Sequence, residues 1–83
     1  MATAVAETLR LSYDAEGDIL YVESVQPYAE QRGTEIGDGV VARLNPGDRA
    51  IEGLEILGFS RRFATLGDQL TLPVHIEMRE LPG

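Results

Sequence analysis

Asp14, Glu16 and Asp18 place three carboxylates at alternate positions around Gly17. Oxygen ligands crowded in this way suit a hard divalent cation, which makes Asp14 and Asp18 the metal candidates. The spacing departs from a calcium-loop pattern, because Gly17 precedes the third acid and no Glu closes the set. The competing reading is an Asp-initiated turn, with Gly taking positive φ, whose acids keep a hairpin tip soluble. Turn-residue preference favours the turn.

Glu52 and Glu55 form a second group, with Asp48 in the turn before them. On a regular strand, positions 52 and 55 point to opposite faces, so they act together only if a bulge intervenes. Glu55 lies between Leu54 and Ile56, and a carboxylate in apolar surroundings needs a cation or hydrogen-bond donors. Arg43, Arg61 and Arg62 are the available partners. A structural ion pair is favoured over catalysis, since one perturbed carboxyl does not make a site. Arg61-Arg62 is also a short basic spot suited to a bidentate grip on an acidic partner. His75 is the one histidine and has no triad around it, so it reads as a surface residue or subunit contact. Gly33, Gly37 and Gly39 precede no helix and make no phosphate loop.

These residues need elements to hold them. Leu9, Leu11 and Tyr13 alternate with Arg10 and Ser12, the period of a strand with one buried face. After the Asp14–Asp18 turn, Ile19 to Ser24 predicts the second strand of a hairpin. Residues 25–37 predict a loop with a few strand residues near Thr34 to Ile36. Gly39 to Leu44 alternates again, Val40, Ala42 and Leu44 on one side and Val41 and Arg43 on the other. Asn45-Pro46-Gly47-Asp48 is a strong turn signal, and Ala50 to Leu57 returns as the partner strand. There Leu54 and Ile56 share one face, Ile51 and Leu57 the other. Ser60 is the expected cap of a short helix to about Leu66, stopped by Gly67, with Phe59, Phe63 and Leu66 against the sheet. Leu70 to Ile76 alternates as a fifth segment, and Pro73 confines it to an edge or an irregular extension.

The composition excludes several chemistries. The chain has 83 residues, no Cys, one His and a net charge of −7, and all seven cations are Arg. No thiolate site, lysine Schiff base, phosphate-loop lysine or multi-His metal site is available within one chain. The acidity opposes nucleic-acid binding. Residues 1–7 have neither a basic start nor an apolar core, and no stretch is long enough to span a bilayer, so a cytoplasmic location is expected. At this length one domain is expected, with a core of about residues 9–76 and flexible ends at 1–7 and 78–83.

Ser12-Tyr13-Asp14-Ala15-Glu16-Gly17-Asp18-Ile19-Leu20-Tyr21-Val22 resembles the Y-D-x-x-x-D-x-L-Y-I opening of the small prokaryotic YuzE-like family, a domain of unknown function. Residues 38–60, with Ile51-Glu52-Gly53-Leu54-Glu55-Ile56-Leu57 at their centre, are similar to that family's second block. The resemblance implies a compact antiparallel sheet with a helix after the last core strand, and no accepted catalytic activity. It also implies a link to neighbouring toxin genes. The family often carries an Asp before the second turn, where this chain has Ala42-Arg43-Leu44, so no carboxylate site carries over from that strand.

The expected fold is α+β, a twisted antiparallel sheet of four to five strands built from two β-hairpins with one short helix packed on it. One helix covers only part of such a sheet, so a homodimer is expected, with Leu70 to Ile76 as the exchanged or shared edge segment. The expected function is a non-enzymatic binding or assembly module without a cofactor. The alternatives are an antitoxin-like acidic protein neutralising a small basic partner, and a carboxylate-based metal-dependent hydrolase using Asp14, Asp18, Glu52 or Glu55.

Overall fold

Five runs of strand-forming residues pair into one sheet in the computed structural model. It describes residues 8–66 and 70–81, apart from the side chains of Thr65 and Leu66. The strands are β1 (Arg10–Asp14), β2 (Ile19–Glu23), β3 (Arg32–Gly37), β4 (Val40–Leu44) and β5 (Ile51–Leu57), followed by helix α1 (Phe59–Leu66). Their order is β1-β2-β5-β4-β3, and every neighbouring pair is antiparallel. The chain therefore makes the β1–β2 hairpin, crosses to the far edge as β3, and folds back through β4 to close β5 against β2. The α+β class and the two hairpins are as the sequence predicts. The expected glycine stop at Gly67, the packing of Leu66 and the ends 1–7 and 82–83 lie outside the described residues.

Register assigns the faces. Leu11, Val22, Leu54 and Ala42 stand opposite one another across four strands, and Tyr13, Leu20, Ile56 and Val40 form the next row on that face. Val40, Ala42, Leu44, Leu54 and Ile56 are buried, and Val22, Ile36, Leu72 and Val74 pack around them. Removing each such aliphatic side chain from water stabilises the fold by about 1.5–3 kcal/mol. Phe59 at the start of α1 meets the Tyr13 ring edge-on at 5.9 Å and Phe63 at 4.9 Å, which covers one end of the same face.

Four expectations change. The fifth strand is residues 32–37, longer than the few strand residues expected near Thr34 to Ile36, and residues 70–76 are the irregular extension and not an edge strand. Residues 70–81 run over the core face without pairing, with Leu72 and Val74 inward and His75 exposed. The physical reason lies partly in Pro73, which cannot donate to a ladder and rests instead 3.5 Å from the space beside Gly37. Second, Ile51 stands opposite Leu44 on the core face, because a bulge between Arg43 and Leu44 adds Glu52 to β5. Third, the left-handed backbone of the Asp14–Asp18 turn falls on Asp18 (φ 57°) and not on Gly17, and that of the next hairpin turn on Arg49 (φ 63°). Asp14 Oδ1 accepts the Glu16 and Gly17 N–H groups, and Asn45 Oδ1 those of Gly47 and Asp48, so the Asx bonds shape both turns. Fourth, Ser60 does not cap α1.

Candidate functional site

The cap of α1 comes from the β1–β2 turn, 42 residues back in sequence. Asp18 accepts the Ser60 N–H at 2.9 Å through Oδ1 and the Ser60 hydroxyl at 2.9 Å through Oδ2, while its backbone carbonyl accepts the Phe59 N–H at 3.0 Å. Tyr13 donates its hydroxyl to Oδ1 at 2.7 Å. The first helical N–H groups lack intrahelical partners, and a carboxylate answers both the missing acceptors and the helix dipole. These bonds, Tyr13 first and the Ser60 N–H second, hold the Asp18 carboxyl below its ordinary range, and the bond to Asp18 in turn raises the Tyr13 hydroxyl. Arg62 fastens the other side of the helix, donating to the Leu57 carbonyl at 2.9 Å and to the carbonyl of Asp38, with its guanidinium over Gly39.

On the sheet face opposite the core lies a charge network centred on Arg43. Alternation puts Arg10, Glu23, Gly53 and Arg43 in one row of that face. Arg43 is 6% exposed; its Nη2 meets Glu23 Oε1 at 2.5 Å and its Nη1 donates to Gln31 Oε1 at 3.2 Å. Arg10 completes Glu23 from the outer strand at 3.2 Å. The Arg43 Nε lies 3.3 Å from Glu55 Oε2, but its N–H is not aimed at the oxygen, so that contact is Coulombic and not a hydrogen bond. The guanidinium fits because residue 53 is Gly; a Cβ there would sit 2.6 Å from Nη2.

Glu52 extends the network. It accepts hydrogen bonds from Tyr28 at 2.6 Å, Gln31 at 3.0 Å and Asn45 at 3.0 Å. Through Gln31 it joins Arg43, so Glu52 and Glu55 serve the same network. The bulge supplies the exception to their opposite-face expectation. The Tyr28 bond dominates the lowering of the Glu52 carboxyl, and the same carboxylate pushes the Tyr28 hydroxyl up to about 12. The Arg43 bond likewise lowers Glu23.

The predicted site residues thus part company. Glu55 pairs with Arg43 and with neither Arg61 nor Arg62. Arg62 holds backbone carbonyls, and Arg61 lies exposed in the first helical turn with its backbone N–H facing Asp18. Asp14 shapes its turn and Asp18 caps α1, so these two carboxylates do not share one role. Among the described residues no group of three or more His, Asp or Glu side chains converges as a metal site. Sequence reasoning missed Glu23, Tyr28 and Gln31. Their signal was Gly53, since a Gly inside a strand marks a close approach.

Between the core face and residues 74–81 runs an open groove of about 980 Å³, lined by Leu9, Val22, Ile51, Leu54, Ile76 and Met78 among others. Leu9, Leu11, Ile51, Ile76 and Met78 are all exposed. Among the described residues no helix is long and apolar enough to cross a membrane.

The fold and its networks define a small α+β protein whose Arg43-centred charge network and open apolar groove lie on opposite faces of one sheet. A family model described as "Protein of unknown function (DUF2283)" matches residues 10–60, and the chain belongs to that family. The matched span runs from the first residue of β1 to the Ser60 held by Asp18, which encloses the whole sheet and the helix latch. No curated protein and no solved structure matches the chain.

Proposed function

We propose that the protein is a non-enzymatic binding or assembly module, YuzE-like in kind, that works as a homodimer. The observation that carries this is the groove with its rim of exposed apolar side chains, because a contiguous uncovered apolar surface is the usual mark of an interaction site. The electrostatics support the same reading. Glu23, Glu52, Glu55 and Asp18 already serve ion pairs, hydrogen bonds or a helix cap, and acid–base chemistry requires a group poised to change state. Light scattering at micromolar concentration tests the assembly: twice the chain mass is expected, and a monomer mass overturns it.

The net charge of −7 favours a second reading, an antitoxin-like protein that meets a small basic partner. Opposite charge speeds such an encounter and makes it sensitive to salt. Co-purification with a basic protein from the native host, lost as ionic strength rises, is the expected result; recovery of no basic protein excludes it.

A further inference from the structure

We propose that two copies join through β1, edge to edge and antiparallel about a two-fold axis at Ser12, to form one continuous ten-stranded sheet. This rests on the homodimeric reading above and names its interface.

The two edges of the sheet differ. β3 carries Arg32 and Glu35 and is broken by a register shift between Glu35 and Gly37, features that blunt an edge against pairing. β1 has an unbroken register, all five residues exposed, and no backbone partner on its outer side among the described residues. Leu11 is 60% exposed and Tyr13 47%. A regular edge showing an alternating apolar face is a template for another strand.

Its sequence is self-complementary. A two-fold axis perpendicular to the sheet preserves the faces, so directly opposed residues must lie an even number apart. Centred on Ser12, Arg10-Leu11-Ser12-Tyr13-Asp14 places Arg10 opposite Asp14 of the partner subunit and Leu11 opposite the partner's Tyr13. Each contact occurs twice. Opposite charges and aromatic–aliphatic pairs are the cross-strand combinations that stabilise antiparallel ladders. Centring on Leu11 pairs no charges, and centring on Tyr13 sets Arg10 against the partner's Glu16 only outside the strand, in the turn after β1. β3 cannot match this, because Arg32 and Glu35 are three residues apart and lie on opposite faces.

The charged groups are ready for the contact. Asp14 uses Oδ1 for its turn, and among the described residues its Oδ2 accepts no hydrogen bond. Arg10 uses Nη2 on Glu23 and keeps further donors of its planar fork. Pairing would extend the Arg43–Glu23–Arg10 chain to the partner's Asp14, and would bring the two apolar grooves to the same side of the sheet.

The chain contains no Cys, so a single introduced thiol reports the register directly. Across an antiparallel pair, opposed Cα atoms are about 4.5–5.5 Å apart, within disulfide reach. Under a glutathione redox buffer, the S12C protein is expected to form a disulfide-linked dimer about tenfold faster than L11C or R10C. Equal or faster linkage by L11C overturns the Ser12 register. A dimer by light scattering with no linkage at any of the three positions overturns the β1 interface while leaving the homodimeric reading intact, and directs attention to Leu70–Ile76. A monomer by light scattering overturns both.

Discussion

At the scale of single residues, Gly53 and Arg43 form one unit. A guanidinium carried into a half-buried sheet face needs acceptors in its plane, and Glu23 and Gln31 supply them only while residue 53 has no side chain. G53A is therefore expected to destabilise the fold by about 1–3 kcal/mol, because the methyl must displace Arg43 from its bonds. In an R43M background the same substitution should cost much less. Urea unfolding of the four proteins of this double-mutant cycle gives the coupling directly. Equal costs in both backgrounds would show that the slot does not belong to Arg43.

At the scale of elements, α1 depends on a residue outside itself. The helix has eight residues, too few to be stable alone, and its first turn is held by Asp18 from the opposite end of the matched span. D18G keeps the left-handed backbone available while removing the carboxylate, so it isolates the cap from strain. Hydrogen exchange of the 59–62 amides should accelerate in D18G relative to D18N, which retains one acceptor oxygen, and the thermal midpoint should fall in the same order. No difference between the variants would show that the Phe59 backbone bond alone holds the helix. β1, β2, β4 and β5 were legible in the sequence because alternation and turn chemistry are local signals. β3 was legible only near Thr34 to Ile36, since Arg32-Gly33-Thr34-Glu35 has little apolar alternation and becomes a strand by pairing with β4. Residues 70–76 show the converse: their alternation is real, and it serves to seat Leu72 and Val74 on the core without a ladder.

At the scale of the whole molecule, the networks set the pH range of the fold. Asp18, Glu23 and Glu52 have carboxyls lowered on folding, so the unfolded chain binds more protons in acid. Their stabilisation is fully present above the ordinary carboxylate pKa of about 4 and is lost as pH falls through the lowered values. Tyr28 is raised to about 12, so its contribution is present below the ordinary tyrosine pKa of about 10 and is lost as pH rises towards 12. Denaturant midpoints across pH should therefore fall at both extremes, and Y28F should flatten the alkaline limb without moving the acid onset by more than the loss of its bond to Glu52. An unchanged alkaline limb in Y28F would detach that tyrosine from stability.

By itself the sequence determined the α+β class, four of the five strands with part of the fifth, the presence of one short helix near residues 60–66 and the absence of thiol and lysine chemistry, because these follow from local periodicity and residue type. It also marked Glu55 as needing a cation. Only the tertiary structure decided that the cation is Arg43, that Glu52 joins the same network through a bulge, and that Asp18 is a helix cap for a segment 42 residues away. The reason is physical: strand propensity and turns act over neighbouring residues, whereas register, bulges and remote caps depend on which strands lie side by side.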